Sequence, residues 1–297
     1  MKYQFIDNHH FVFPVVKMCR TLKVYKSGYY YWLENREKKE DKEKKIVCKI
    51  KSIFEGSKRT YGRPRLTRTL NMGGFEANEK RVHRLMKKHH IFAKTKKKFR
   101  VCTTDSKHRF PISPNLVEQD FRASKPNELW LSDITYISTI VGWVYLAAII
   151  DVFTRKIVGW SMSKTQNTKL VKTALENAMK RQAPKSSLIL HSDRGSQYAS
   201  YGYRDLCLTH GIVQSMSRSG NCYDNAMMES FFHTLKTEEV HWSSYQSREE
   251  AKGKVFEYIE IYYNRQRIHS GIDYQVPVDF ETAYYNSSRL RQKYKKN

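Results

Sequence analysis

Three runs near the middle of the chain decide its fold: ELWLSDITYIS (Glu128–Ser138), WVYLAAIID (Trp143–Asp151) and KIVGWSMS (Lys156–Ser163). Each is rich in β-branched and aromatic residues, and only short turns separate them, so they read as three consecutive strands. The period then changes. Residues 167–181 place Leu170, Val171, Ala174, Leu175, Ala178 and Met179 on one helical face. Ser187–Ser192 reads as a fourth strand, 199–210 as a helix, Ile212–Met216 as a fifth strand, and 224–238 and 247–264 as helices. Three strands followed by helix, strand, helix, strand and helix describe a mixed sheet covered by helices.

That element order is the one of ribonuclease-H-like folds, so the expected class is α/β with a mixed five-stranded sheet. The chain before it is helical in pattern. Phe13-Pro14-Val15 begins one short helix, a second begins near Ser27, and Ile46, Val47, Ile50, Ile53 and Phe54 form the apolar stripe of a third. Pro64 suits the first turn of a helix, Gly73-Gly74 breaks it, and Asn78 caps the next. In that last helix Val82, Leu85 and Met86 form an apolar stripe, and Arg81, Arg84, Lys87 and Lys88 a basic one. Helix, glycine turn and basic helix fit a helix-turn-helix or an ordinary helical hairpin, and the basic stripe favours the former. Residues 96–124, with Pro111 and Pro114, read as a linker. The expected divisions are therefore 1–44 (helical), 45–95 (basic, helix-turn-helix-like), 96–124 (linker), 125–240 (core) and 241–297 (helical extension).

Charge points to the partner. Of 297 residues, 54 are Lys or Arg and 29 Asp or Glu, a net of +25. Residues 1–124 hold 31 basic and 12 acidic residues, so a net of +19 lies in the helical part. Basic residues on ordered helices, with no amphipathic lipid anchor, favour nucleic acid over membrane. The longest apolar run, Trp143–Ile150, is far short of the roughly 20 residues of a membrane span. No signal peptide is legible at the N-terminus. Five scattered cysteines without a Cys-x-x-Cys pair indicate neither a disulfide framework nor a cysteine zinc site. The expectation is a cytoplasmic protein with an anionic partner.

Three carboxylates carry the chemistry. Asp133 interrupts an apolar strand, on the face opposite Trp130, Ile134 and Tyr136, where a carboxylate is costly unless paired or bound to a cation. Asp193 closes the fourth strand, where ligand sites in such sheets gather. Glu229 lies on the helix that follows the fifth strand, with Lys236 two turns further on roughly the same face. Such an oxygen-only set suits Mg²⁺. Asp151 rivals Asp133, but its place at a hairpin end lets it serve as a turn cap.

At these residues the sequence closely resembles the DDE transposases of bacterial insertion sequences, which share the retroviral-integrase fold. The likeness is to the IS-three group, and within it to the second-frame catalytic protein. The group's thirty-five-residue spacing is met between Asp193 and Glu229, and its later basic residue by Lys236. Matching strings run from MCRTLKVYKSGYYYW (18–32) and NEKRVHRLMKKHHI (78–91) through WLSDITYI (130–137), DVFTRKIVGWSMS (151–163) and HSDRGSQYAS (191–200). They continue in SRSGNCYDNAMMESFFHTLKTE (217–238) and YYNRQRIHSGIDYQVPVDF (262–280). The resemblance implies that Asp133, Asp193 and Glu229 are the catalytic, metal-binding triad, holding two magnesium ions for which manganese can substitute. It implies strand cleavage at transposon ends followed by 3′-OH strand transfer. Lys236 is implied as a contact to DNA, and Asn221 and Asn225 are read beside it as polar residues reaching the same substrate. The segment Ser217–Asn225 reads as a mobile loop or a plain connector. Implied partners are transposon-end and target DNA, a homo-oligomer on that DNA and the upstream-frame protein, whose helix-turn-helix and leucine zipper precede this chain in the full transposase. The rival reading is a non-catalytic DNA-binding regulator derived from a transposase. Asp273 departs from a position where the group commonly has glycine.

Overall fold

The computed structural model describes residues 1–94, 110–184, 187–218 and 225–294. It divides into two compact units, Met1–Ala93 and Lys94–Asn297.

The first unit is helical: α1 (Lys2–His9), α2 (Val15–Thr21), α3 (Lys26–Gly56), α4 (Arg63–Met72) and α5 (Glu79–Lys88). Ile6, Met18, Cys19 and Tyr29 make a small core where α1, α2 and the start of α3 meet. Residues 33–52 contain no Gly or Pro and are dominated by Lys and Glu, good helix formers. The two helices expected near Ser27 and Ile46 are therefore one continuous α3, and the division expected between residues 44 and 45 falls inside it. Further on, Pro64 stands in the first turn of α4, and Gly73 caps its end. Gly74 takes φ +80, a conformation that costs glycine nothing. The Asn78 side chain accepts from Arg81 N–H at 2.8 Å and caps α5. Val82 and Leu85 of α5 are fully buried, as are Leu66 and Leu70 of α4.

The second unit is built on five strands: β1 (Leu129–Thr139), β2 (Gly142–Asp151), β3 (Ile157–Ser163), β4 (Leu188–Ser192) and β5 (Ile212–Met216). Their spatial order is β3-β2-β1-β4-β5. The first three pair antiparallel, while β1, β4 and β5 run parallel. Between β3 and β4 lies α6 (Thr168–Gln182), and between β4 and β5 the short α7 (Ser196–Ala199) and α8 (Tyr201–Thr209). After β5 come α9 (Ala226–Glu238) and α10 (Arg248–Phe256), the latter continuing as a π-helix over Glu257–Tyr263, then α11 (Pro277–Tyr294).

Strand alternation supplies both faces of the sheet with apolar side chains. Trp130, Ile134, Ala147 and Ile149 pack with α6, α7 and α8. Leu129, Leu131, Ile137, Leu146 and Ala148 pack on the other side with Phe231, Phe232 and Leu235 of α9 and with Tyr258, Tyr262 and Tyr263 of the π-helix. Gly159 of β3 lets α6 approach: a Cβ there would meet Ala174 O at 2.4 Å and Ala178 Cβ at 2.5 Å. Asn264 completes the edge of β3, its amide donating to Ile157 O at 3.0 Å and accepting from Ile157 N–H at 2.9 Å. A bidentate pair ties the extension to the end of α9. Arg267 donates to both Glu238 oxygens at 2.8–3.1 Å, and Tyr258 Oη donates to the same carboxylate at 2.7 Å. Asp273 is left-handed, with φ 53 and ψ 39, a conformation that glycine takes freely and that Asp is among the side chains to tolerate.

Candidate active site

The register of the sheet brings two of the three carboxylates together. The parallel pairing of β1 with β4 runs Leu129↔Ile189, Trp130↔Leu190, Leu131↔His191 and then stops. Asp133 and Asp193 each lie two residues beyond that last pair, where the strands part. Asp133 alternates with Leu129, Leu131 and Ile137 and so faces the side that α9 covers. Burial first, and then the charge of Asp193, push the Asp133 carboxyl well above the usual carboxylate range. Glu229 adds to this, while the Ile134 N–H and Lys236 oppose it.

Local hydrogen bonds hold both aspartates. Ile134 N–H donates to Asp133 Oδ1 at 2.7 Å. Gly195 N–H donates to Asp193 Oδ1 at 2.9 Å, and a Cβ at Gly195 would stand 3.0 Å from that oxygen. The turn after Asp193 is fastened to the end of β5, since Ser217 N–H donates to Ser192 O at 2.9 Å and Arg194 Nε to Ser217 O at 2.5 Å.

Glu229 sits in the first turn of α9. It is exposed at the rim, and partial burial raises its carboxyl. Among the described residues no three His, Cys, Asp or Glu side chains are placed to hold one metal ion together. Asp133 and Asp193 are oxygen donors of the kind hard divalent cations take, and a cation between them would relieve the repulsion that raises Asp133. Lys236 lies two turns after Glu229 on α9, its Nζ 4.5 Å from the centre of the Tyr136 ring. Burial lowers its pKa, and Asp133 counters that.

Asn225, read from sequence as reaching DNA, is buried and donates to Ser132 O at 3.2 Å, fastening the start of α9 to β1 one residue before Asp133. Asn221 and the rest of 219–224 lie outside the described residues. In the basic stripe of α5, Lys88 and Arg84 reach Glu43 at 2.6 and 3.5 Å, while Lys87 is exposed and Arg81 half-buried. Asp151 is a structural cap. Its Oδ1 accepts from Thr154 N–H and Oγ1 at 2.7 and 2.8 Å, and its Oδ2 from Asn127 N–H and Trp130 Nε1 at 2.7 and 3.2 Å. Sequence reading did not find Tyr136 as the seat of Lys236, because strand alternation places Tyr136 on the face away from Asp133 and gives no hint that a long side chain reaches it.

Comparison with known proteins decides the family. The chain is 42% identical over 284 residues to the transposase InsF for insertion sequence IS3A of Escherichia coli K12, covering 95% of this chain and 98% of the relative. The chain belongs to the IS3-family transposases. It is equally 42% identical over 271 residues to an uncharacterized 31 kDa protein of insertion element IS600 from Shigella sonnei, covering 90% and 98% of the two chains. Residues 123–222 and 229–284 of this transposase match integrase core domain families, and residues 39–99 match an HTH-like domain. Among solved structures, the HTLV-2 integrase catalytic core domain superposes with a TM-score of 0.42 at 14% identity, covering 54% of this chain and 99% of that one. The mixed five-stranded sheet expected from sequence is present in the fold, and the HTH-like match falls on the region expected to be helix-turn-helix-like. Among the described residues no helix is long and apolar enough to cross a membrane.

Proposed function

We propose that this transposase cuts DNA strands at the ends of its element and joins the freed 3′-OH to a second DNA site, with Asp133, Asp193 and Glu229 as its catalytic carboxylates. The observation that carries the reading is the register equivalence of Asp133 and Asp193 past the Leu131↔His191 pair, with Asp133 sensing Glu229 across from it. The two aspartates would hold divalent cations, magnesium in the cell and manganese as a substitute, and Glu229 would join them from the rim of α9 as DNA arrives. Bound there, such ions would supply charge to the oxygens of a phosphoryl transfer and would make water or a 3′-OH a better nucleophile. Lys236, half-buried with its ammonium over the Tyr136 ring and within the field of Asp133, presents its charge to the DNA backbone beside the cut.

The basic unit Met1–Ala93, with Arg81, Arg84, Lys87 and Lys88 on α5, binds duplex through phosphates. Residues 125–240 form the catalytic core and 241–297 its helical extension. The active species is a homo-oligomer on transposon-end and target DNA, working in the cytoplasm with or fused to the upstream-frame protein. The test is to incubate the chain, alone and fused to the upstream frame, with DNA carrying the element's ends and Mg²⁺, and to map nicks. Nicks at the ends support the reading. Specific binding without nicks under both Mg²⁺ and Mn²⁺ supports a DNA-binding regulator instead.

A further inference from the structure

A cavity of about 150 Å³ opens beside α9, lined by Ile150, Arg155, Met227, Ser230, Thr234 and His269 among others. Its polar wall is assembled from three distant parts of the chain: the turn between β2 and β3, the flank of α9 next to Glu229, and the segment after the π-helix.

Arg155 is its unusual member. The Nε is sealed from solvent and has no hydrogen-bond partner. The guanidinium makes no hydrogen bond or salt bridge with any described residue. Asp151 is the carboxylate whose charge Arg155 senses, but both its oxygens are taken by Thr154, Asn127 and Trp130. Arg155 is left-handed at φ 62, and its guanidinium packs beside Gly271, where a Cβ would stand 3.4 Å from Nε. Ser230 and Thr234, one helical turn apart, have hydroxyls that bond to no described residue. A planar fork of five donors, half-withdrawn from water without an acceptor, is expensive to keep and is matched by the oxygens of a phosphate.

We propose that this cavity is a phosphate site, and that its occupant is a phosphodiester of bound DNA. This rests on the reading above that DNA is the substrate. Volume argues for a single phosphate group, since whole small-molecule ligands occupy roughly 300–1,000 Å³. Position argues for DNA over a free ion: Ser230, which lines the cavity, directly follows Glu229 and is exposed. A strand passing the carboxylates would place a neighbouring phosphate over Arg155, fixing the register of the cut.

The test reads the Nε–H resonance of Arg155 in the full chain labelled with ¹⁵N-arginine, assigned by its loss in Arg155→Lys, without divalent metal. A short duplex oligonucleotide should move that resonance saturably, and inorganic phosphate should move it only at far higher concentration. Arg155→Gln should reduce the salt slope of duplex binding by about 0.9, one phosphate contact. A resonance moved by inorganic phosphate but not by duplex would overturn the DNA assignment. A resonance moved by neither, with an unchanged salt slope in Arg155→Gln, would mean a water-filled cavity. No metal or cleavage is needed, so a chain that binds DNA but never cuts it still reports on this site. A chain that cuts DNA with the resonance unmoved overturns this proposal alone.

Discussion

Asp133 in β1 and Asp193 after β4 are register equivalents, each two residues past the Leu131↔His191 pair where the two parallel strands separate. The sheet therefore forces two carboxylates together, and burial and repulsion raise Asp133 well above its ordinary pKa. This is destabilising in the free protein at neutral pH. Asp133→Asn removes that charge and should leave stability unchanged or raise it by about 1 kcal/mol, roughly 2–4 °C for a unit of this size. Mg²⁺ should raise the melting temperature of the parent but not of Asp133→Asn. Differential scanning fluorimetry with and without Mg²⁺ checks both, and an equal Mg²⁺ shift in the two proteins would refute the assignment.

Asp151 should behave in the opposite way. Its carboxylate satisfies four donors inside the fold. Asp151→Ala leaves buried N–H groups without acceptors and should cost about 3 kcal/mol or more. Urea denaturation followed by tryptophan fluorescence measures the loss. A fully stable Asp151→Ala with abolished cleavage would return Asp151 to the list of metal ligands.

The Arg267–Glu238 pair, with both side chains almost fully buried, fixes the extension to the end of α9. Arg267→Met strands Glu238 and should cost about 3–5 kcal/mol. Adding Glu238→Leu to that variant should recover most of the loss, because the stranded charge is then gone. Equilibrium unfolding of the two single variants and the double closes the cycle; purely additive effects would show that the two residues act independently.

In the basic unit, Glu43 holds Lys88 by a hydrogen bond and lies beside Arg84, and its pKa is lowered as a result. Glu43 thus shields two of the four cations of the α5 stripe. Glu43→Gln should strengthen duplex binding by the full chain several-fold at low salt, with the gain fading as salt rises. Fluorescence anisotropy against KCl reads this, and weaker binding by Glu43→Gln would mean that Glu43 orders the stripe instead of masking it.

The succession of strands and helices, the helix caps and the α6 stripe were legible because each follows from period, Gly, Pro and Asn placement within a short window. Asp133 stood out as a charge inside an apolar strand, and Asp193 as a charge at a strand end. What joins them, the β1–β4 register, is a long-range pairing that no local pattern states. Asn225 looked like a surface contact because its burial depends on the carbonyl of Ser132, 93 residues earlier. Arg155 escaped notice for the same reason: it reads as a turn residue until the segments bearing Ser230 and His269 fold around it. The length of α3 was missed because Lys–Glu sequence carries no apolar stripe to follow, although its helix propensity is high throughout.

The most direct test of the central claim is strand cleavage of DNA carrying the element's ends by the parent and by Asp133→Asn, Asp193→Asn and Glu229→Gln, each with Mg²⁺ and each checked for folding and duplex binding. The account predicts nicks at the element's ends from the parent alone, with all three variants folded, binding DNA normally, and at least 10³-fold slower, about 4 kcal/mol of lost transition-state stabilisation. Parental cleavage by any one of the three variants would contradict it.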